Sequence, residues 1–303
     1  MTKTFFLVGP TAVGKSTIAG EVARRTGAEI VNADAFQLYC GLDLLTAKPD
    51  PAILAMAPHH LLSTIPLSEG MNVEKFRTRA NAALEEIRSR GKPAIVVGGS
   101  GLYIKALTHG LSPLPSANTG LREELDRAPI EELSARLWEL DPEAAKKIDH
   151  KNKRRLIRAL EVCLISGAPV SPQRTDWAKT CSRCSGVFLF RDRIDLYERI
   201  NRRVDKIFAE GVVEEVRHAE DPGSTAEKAL GFREIRALLA GEILETECIR
   251  KIQCLTRNYA KRQLTWFKRQ DIFVSLNLSL QGLPEAIELV AQNAYSAFAQ
   301  TDD

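Results

Sequence analysis

Apolar and polar positions follow two habits along the chain. Residues 4–8 form a short continuous apolar run that stops at Gly9-Pro10, and residues 16–24 follow with Ile18 and Val22 at helical spacing. A second buried strand is predicted at 28–32. Over 73–90 the apolar positions Val73, Phe76, Ala80, Ala83, Leu84 and Ile87 keep a helical period, and 94–97 (Ala-Ile-Val-Val) read as another strand buried on both faces. Such strand–loop–helix–strand alternation implies right-handed crossovers and a parallel, doubly wound α/β sheet. Beyond Ser112-Pro113-Leu114-Pro115 the habit changes: 119–167 read as successive helices with no convincing strand. The sheet resumes at 187–190, long helical stretches follow near 195–216 and 247–269, a last strand is predicted at 272–276, and the tail after Ala299 is expected to fray. The simplest organisation is one core interrupted by a helical insertion.

Composition narrows the picture only a little. With 44% hydrophobic and 27% charged residues in 303, the chain can bury a sizeable core, and its net charge of +3 announces no partner. No apolar stretch approaches the roughly 20 residues of a membrane span, and the N-terminal run is too short for a signal peptide. Reduced thiols in the cytoplasm are therefore expected for the six cysteines. Cys181 and Cys184 have zinc-like spacing, but no second pair completes four ligands, so loop cysteines are the better reading.

The chemistry is concentrated in loops after the apolar runs. Gly9-Pro10-Thr11-Ala12-Val13-Gly14-Lys15-Ser16 fits GxxxxGK[ST] between a predicted strand and helix. Glycines turn backbone N–H groups inward around phosphate, the helix N-terminus adds partial positive charge, Lys15 a full one, and the Ser16 hydroxyl can ligate Mg²⁺. A kinase or nucleotide hydrolase with this loop often keeps an acid at the end of an apolar strand. Here 94–97 run instead into Gly98-Gly99-Ser100-Gly101, either a plain turn or one that brings the Ser100 hydroxyl to a ligand. The acid lies at Asp34, after the second strand. In an open α/β sheet it should face the same crevice as Lys15, as a catalytic group or as a helix cap.

Taken together, "GPTAVGKS" (9–16), "DAFQLYCGLDLLTAKP" (34–49), "GGSGLYIKAL" (98–107), "KRRLIRALEV" (153–162), "FRDRIDLYERINRRV" (190–204), "KALGFREI" (228–235) and "TRNYAKRQLTWFKR" (256–269) resemble the bacterial tRNA dimethylallyltransferases, the IPP transferase family, in family order over nearly the whole chain. The resemblance implies a P-loop core (1–112 and 186–303) with a helical tRNA-binding insertion (113–185), dimethylallyl diphosphate as donor, Mg²⁺ as cofactor, and transfer to N6 of adenosine-37 in tRNAs reading codons that begin with U. On that reading residues 9–16 hold a diphosphate that leaves, Lys15 and Ser100 stabilise it, and Asp34 is the general base. Asp34, Ala35, Phe36, Gln37 and Ser100 would meet the target nucleotide, with Arg122, Arg154 and Arg158 around it; a monomer is the expectation. Two departures stand out: Ala35 where the family usually has Ser, and Ser100 where it usually has Thr.

Charge distribution agrees with an RNA partner. Residues 146–158 carry seven Lys/Arg against one Asp, and 250–271 again seven against one, with Tyr259, Trp266 and Phe267 among them. Such stripes suit phosphate contacts, and the rings either stack an unpaired base or belong to the core. A small-molecule phosphotransferase, a prenyltransferase acting on free adenine nucleotides and a non-enzymatic RNA binder are the rival readings. The first two leave the basic stripes unexplained, and the intact Lys15, Ser16 and Asp34 oppose the third.

Overall fold

A computed structural model describes residues 4–173 and 185–299. The chain divides into two compact units, Met1–Thr108 with Ser182–Asp303, and His109–Cys181.

In the first unit, strand β1 (Thr4–Val8) leads through the glycine loop into helix α1 (Lys15–Thr26), and β2 (Glu29–Asn32) follows. After the short α2 (Pro51–Leu54) and a two-residue strand β3 (His59–His60) come α3 (Val73–Ser89), β4 (Ala94–Gly98) and α4 (Gly101–Thr108). The second unit is helical: α5 (Thr119–Arg127), α6 (Ile130–Leu140), α7 (Pro142–Lys147), α8 (Lys153–Ser166) and α9 (Val170–Gln173). Asn118, Asp141 and Asn152 each cap a helix by accepting a backbone N–H three residues on, which is why this polar stretch breaks into short helices where it does. The chain then returns to the first unit with β5 (Ser185–Phe190), α10 (Arg193–Ala209), α11 (Val212–Arg217), α12 (Phe232–Leu239), α13 (Glu245–Phe267), β6 (Val274–Asn277) and α14 (Leu283–Ala299).

The six strands form one parallel sheet in the order β3-β2-β4-β1-β5-β6. The apolar runs alternate between its faces. Phe6, Val8, Val31, Val96 and Phe188 enter one core, while Phe5, Leu7, Ile30, Ile95 and Val187 enter the other, against α1 and α14. Both faces are covered, so the strands read as continuous apolar runs. The helical unit keeps its own core around Leu133, Leu137, Leu156 and Leu160.

The expected strands and helices are present, with differences that have local causes. The stretch expected to be helical over 195–216 is two helices, because Gly211 sits at φ 99 and ends α10 with a left-handed turn. The last predicted strand starts two residues and ends one residue later than expected and is partly exposed. Strand β3 and helices α2, α4, α9, α12 and α14 were not expected. The expected fraying past Ala299 and the Cys181/Cys184 pair fall outside the described residues. Among the described residues no group of three or more His, Cys, Asp or Glu is placed to hold a metal, and no helix is long and apolar enough to cross a membrane.

Candidate active site

The parallel register brings the carboxyl ends of β1, β2 and β4 together, where the glycine loop (9–16), the 33–37 turn and the 98–101 turn meet. Their backbones nearly touch. Gly9 N–H donates to Gly98 O at 3.3 Å and Ala33 N–H to Val97 O at 2.8 Å. A Cβ on Gly99 would overlap the Gln263 side chain and approach Gly9 O to 2.8 Å, so only glycine fits there.

Gly14 turns the loop at φ 110, a conformation that favours glycine, and the amides of Ala12 to Ser16 donate to no protein acceptor among the described residues. Unengaged N–H groups at the start of a helix are suited to an anion. The other loop members have different duties. Thr11 N–H donates to Gln263 Oε1 at 2.9 Å, and the Thr11 hydroxyl accepts from Arg203 Nη1 at 2.9 Å. Pro10 has no N–H to offer; its carbonyl and that of Gly9 accept from Lys15 Nζ at 2.7 and 3.0 Å. Enclosure pushes the Lys15 ammonium down from 10.5 to about 8; the Asp34 charge opposes that fall and the Arg203 charge adds to it.

Arg203 belongs to a set that the sequence reading did not assign. Residues 191, 195, 199 and 203 recur every four positions and so share one face of α10 and its entry. Arg191 Nε donates to Val13 O and Arg199 Nε to Ala12 O, both at 3.0 Å, while Asp195 accepts from Arg191 at 2.8 Å. Ala12 is held at φ 63, strained for a residue with a Cβ. Arg203 itself makes no ion pair among the described residues, and burial lowers its pKa while the Asp34 charge raises it. The period-four spacing was visible, but nothing local said that this helix would cross the glycine loop.

Asp34 faces the same place from β2: its charge acts on Lys15, Arg203, Tyr103 and Tyr259. Asp34 Oδ1 accepts from the N–H groups of Phe36 at 2.9 Å and Gln37 at 3.4 Å, closing a turn rather than capping a helix. Asp34 Oδ2 has no hydrogen-bond partner among the described residues. Ser100 Oγ accepts from Ala35 N–H at 3.1 Å and so supports the Asp34 turn, and its hydroxyl acts on the Tyr259 phenol. Burial, then the Asp34 charge, pushes the Tyr259 phenol up. The Gln37 amide nitrogen donates to Thr46 O and Ala47 O at 3.1 and 2.9 Å, leaving its oxygen; Phe36 packs against the core. For Trp266 and Phe267 the open question resolves toward the core. Phe267 is buried and stacks on Phe188 at 5.5 Å, and Trp266 lies edge-on to Phe267 beneath Gly101.

In the helical unit, Arg122 and Arg158 both bind Glu161, which is fully buried at 0% exposure. Burial pushes this carboxyl up, but the bonds from Arg122, Arg158 and Asn118 N–H outweigh it and hold the group below the usual range. Arg154 is exposed and takes no ion pair among the described residues.

The family model described as IPP transferase matches residues 37–270. A tRNA dimethylallyltransferase of Akkermansia muciniphila is 43% identical over 284 residues, covering 94% of this chain and 96% of its own. A second, tRNA dimethylallyltransferase 1 of Citrifermentans bemidjiense, is 44% identical over 278 residues, 89% of this chain and 91% of that one. Among solved structures, the full-length tRNA isopentenylpyrophosphate transferase of Bacillus halodurans is 31% identical, covers 98% of this chain and 97% of its own, and has a TM-score of 0.72. With its phosphate loop, its Asp34 turn and relatives matched along nearly their whole length, the chain belongs to the IPP transferase family.

Proposed function

We propose that the protein transfers the dimethylallyl group of dimethylallyl diphosphate to N6 of adenosine-37 in tRNAs reading codons that begin with U, releasing diphosphate. Its curated relatives are named for transfer of this group to tRNA. The observation that carries the reading is that two cations, Lys15 and Arg203, with the unengaged loop amides, lie near enough to Asp34 to feel its charge at the carboxyl ends of β1 and β2.

The reacting C–O bond of the donor breaks as adenine N6 attacks the allylic carbon, and negative charge collects on the departing diphosphate. Lys15, Arg203 and the amides of Ala12–Ser16 are fixed before the reaction begins, so they stabilise that charge without reorganising. The attacking nitrogen loses a proton as it is alkylated. Asp34 Oδ2 is free to accept it while Oδ1 keeps the turn closed. The target base of a stacked loop must be extruded to reach this crevice. Mg²⁺ fits the donor set: the Ser16 hydroxyl has no partner among the described residues and would hold the ion with donor phosphate oxygens. The ion supplies further positive charge to the leaving group when bound. Basic groups at Lys147, Lys151, Arg154 and Arg155 in the helical unit are exposed without acidic partners among the described residues and suit the tRNA backbone.

The test is incubation of the protein with labelled dimethylallyl diphosphate and separate pools of tRNA and ATP. Label in tRNA supports the proposal. Label in ATP alone transfers the reading to a free-nucleotide prenyltransferase, and no transfer to either overturns it.

A further inference from the structure

Helix α13 reaches into the site with one side chain that no catalytic step uses. Gln263 is buried, yet both ends of its amide are engaged by different loops: Oε1 accepts from Thr11 N–H at 2.9 Å and Nε2 donates to Gly99 O at 2.8 Å. Thr11 lies in the phosphate loop. Gly99 precedes Ser100, whose Oγ accepts from Ala35 N–H beside Asp34. One side chain thus bridges the loop that would hold the donor and the turn that supports the acceptor's base.

We propose that Gln263 is a positioning residue that registers the phosphate loop against the Asp34 turn, so that leaving group and base are aligned when the donor binds. The inference rests on the reading of the crevice as a prenyl-transfer site. Three observations carry it. The missing Cβ of Gly99 leaves the space that the Gln263 amide fills, so the contact is built from both sides. Tyr259, one helical turn earlier, has its phenol close enough to Ser100 and Gln263 for both to act on it, and Trp266 packs under Gly101, so successive turns of α13 lie along 99–101. A buried amide also needs partners, and Gln263 takes them from these two loops rather than from its own helix. A second tie, Gly9 N–H to Gly98 O at 3.3 Å, holds the loops near each other without Gln263, so its replacement should misalign them rather than unfold the protein.

The experiment compares the full chain with Gln263→Met, which keeps the length of the side chain without its amide, and Gln263→Glu, which keeps an acceptor for Thr11 N–H but sets a carboxylate against Gly99 O. Hydrogen exchange is followed in peptides covering 9–16 and 98–103, with and without inorganic pyrophosphate, beside pyrophosphate affinity and single-turnover transfer at saturating substrates. In the parent, pyrophosphate should slow exchange in both peptides; in both variants it should protect 9–16 alone. Pyrophosphate affinity should change by less than about threefold. Transfer should fall about 10²-fold, the size of effect that a misplacement near 1 Å produces. Equal protection of 98–103 in parent and variants, no protection of it in the parent, or a transfer rate within threefold of the parent overturns the proposal. Absence of transfer by the parent itself strikes the reaction assigned to the crevice, while the exchange comparison still decides the role of Gln263.

Discussion

Two groups of arginines in this molecule look alike in sequence and do opposite work. In the helical unit, Arg122 and Arg158 both turn onto Glu161, a carboxylate with no exposure that cancels one of their two charges and fixes both side chains. Along α10, Arg191 has Asp195, but Arg199 and Arg203 spend their N–H groups on the Ala12 carbonyl and the Thr11 hydroxyl of the phosphate loop. A guanidinium with its own carboxylate is architecture; one bonded only to neutral groups keeps its charge for a ligand.

The largest effect expected from this contrast is at Arg203. Arg203→Met should lower single-turnover transfer by roughly 10²–10³-fold, the usual loss when one preorganised donor to a developing charge is removed. Melting temperature should stay close to the parent's. A variant that unfolds while transferring normally at low temperature would put Arg203 in the same class as Arg122.

Lys15 sharpens the contrast through pH. With its ammonium at about 8, the ligand-free protein loses this charge as pH rises past that value, and a bound diphosphate is expected to restore it. Pyrophosphate affinity should therefore fall by up to about tenfold per pH unit between roughly 8 and 10, with proton uptake on binding visible by calorimetry in buffers of different ionisation enthalpy. The stability contribution runs the other way. The unfolded lysine holds its proton up to about 10.5, so Lys15 disfavours folding below pH 8 and ceases to as pH climbs from 8 toward 10.5. Flat affinity across this window would show that Lys15 is not the group bearing the charge.

Glu161→Gln should act on stability alone. Fully buried ion pairs lose about 3–5 kcal/mol when one partner goes, but Arg122 and Arg158 are partly exposed and can rehydrate, so about 1–3 kcal/mol is expected by denaturant unfolding. In the parent this contribution is present above the ordinary carboxyl value of 4.5 and fades as pH falls through the lower folded value. The smallest effect is at Arg154. Arg154→Glu should weaken tRNA binding by roughly threefold and reduce its salt slope by about one, with pyrophosphate affinity unchanged. Binding that ignores salt would remove Arg154 from the nucleic-acid face.

What was legible beforehand follows the same division between local and distant causes. The span of β1 and the position of the glycine loop follow from apolar runs and turn residues, which act within a few positions. Asp34 was readable because a residue just past a parallel strand has a definite side to face. The roles of Gln263 and Arg203 were not, since each depends on which distant loop a helix crosses. Trp266 and Phe267 sit in a basic stripe that suggests RNA, but β5 supplies Phe188 as a ring partner and takes Phe267 into the core. Helix α14 escaped notice because alanines at 286, 291 and 294 give its buried face little contrast with its surroundings.

The strand order also sets a timetable. Phe5 on the first strand pairs with Ser185 on β5, 180 residues later, and its ring finally meets Phe298 on the last helix. At roughly 5–20 residues per second, a ribosome needs about 10–40 s to supply β5 after β1 has emerged. Helices α5 to α8 are made within that interval and bury their apolar faces against one another, so the insertion can fold while the sheet waits with one side of its central strand unpaired. During that wait Phe5 and Phe6 are the residues a nascent-chain chaperone would find, and shortening the chain before α14 would leave Phe5 without its cover for good.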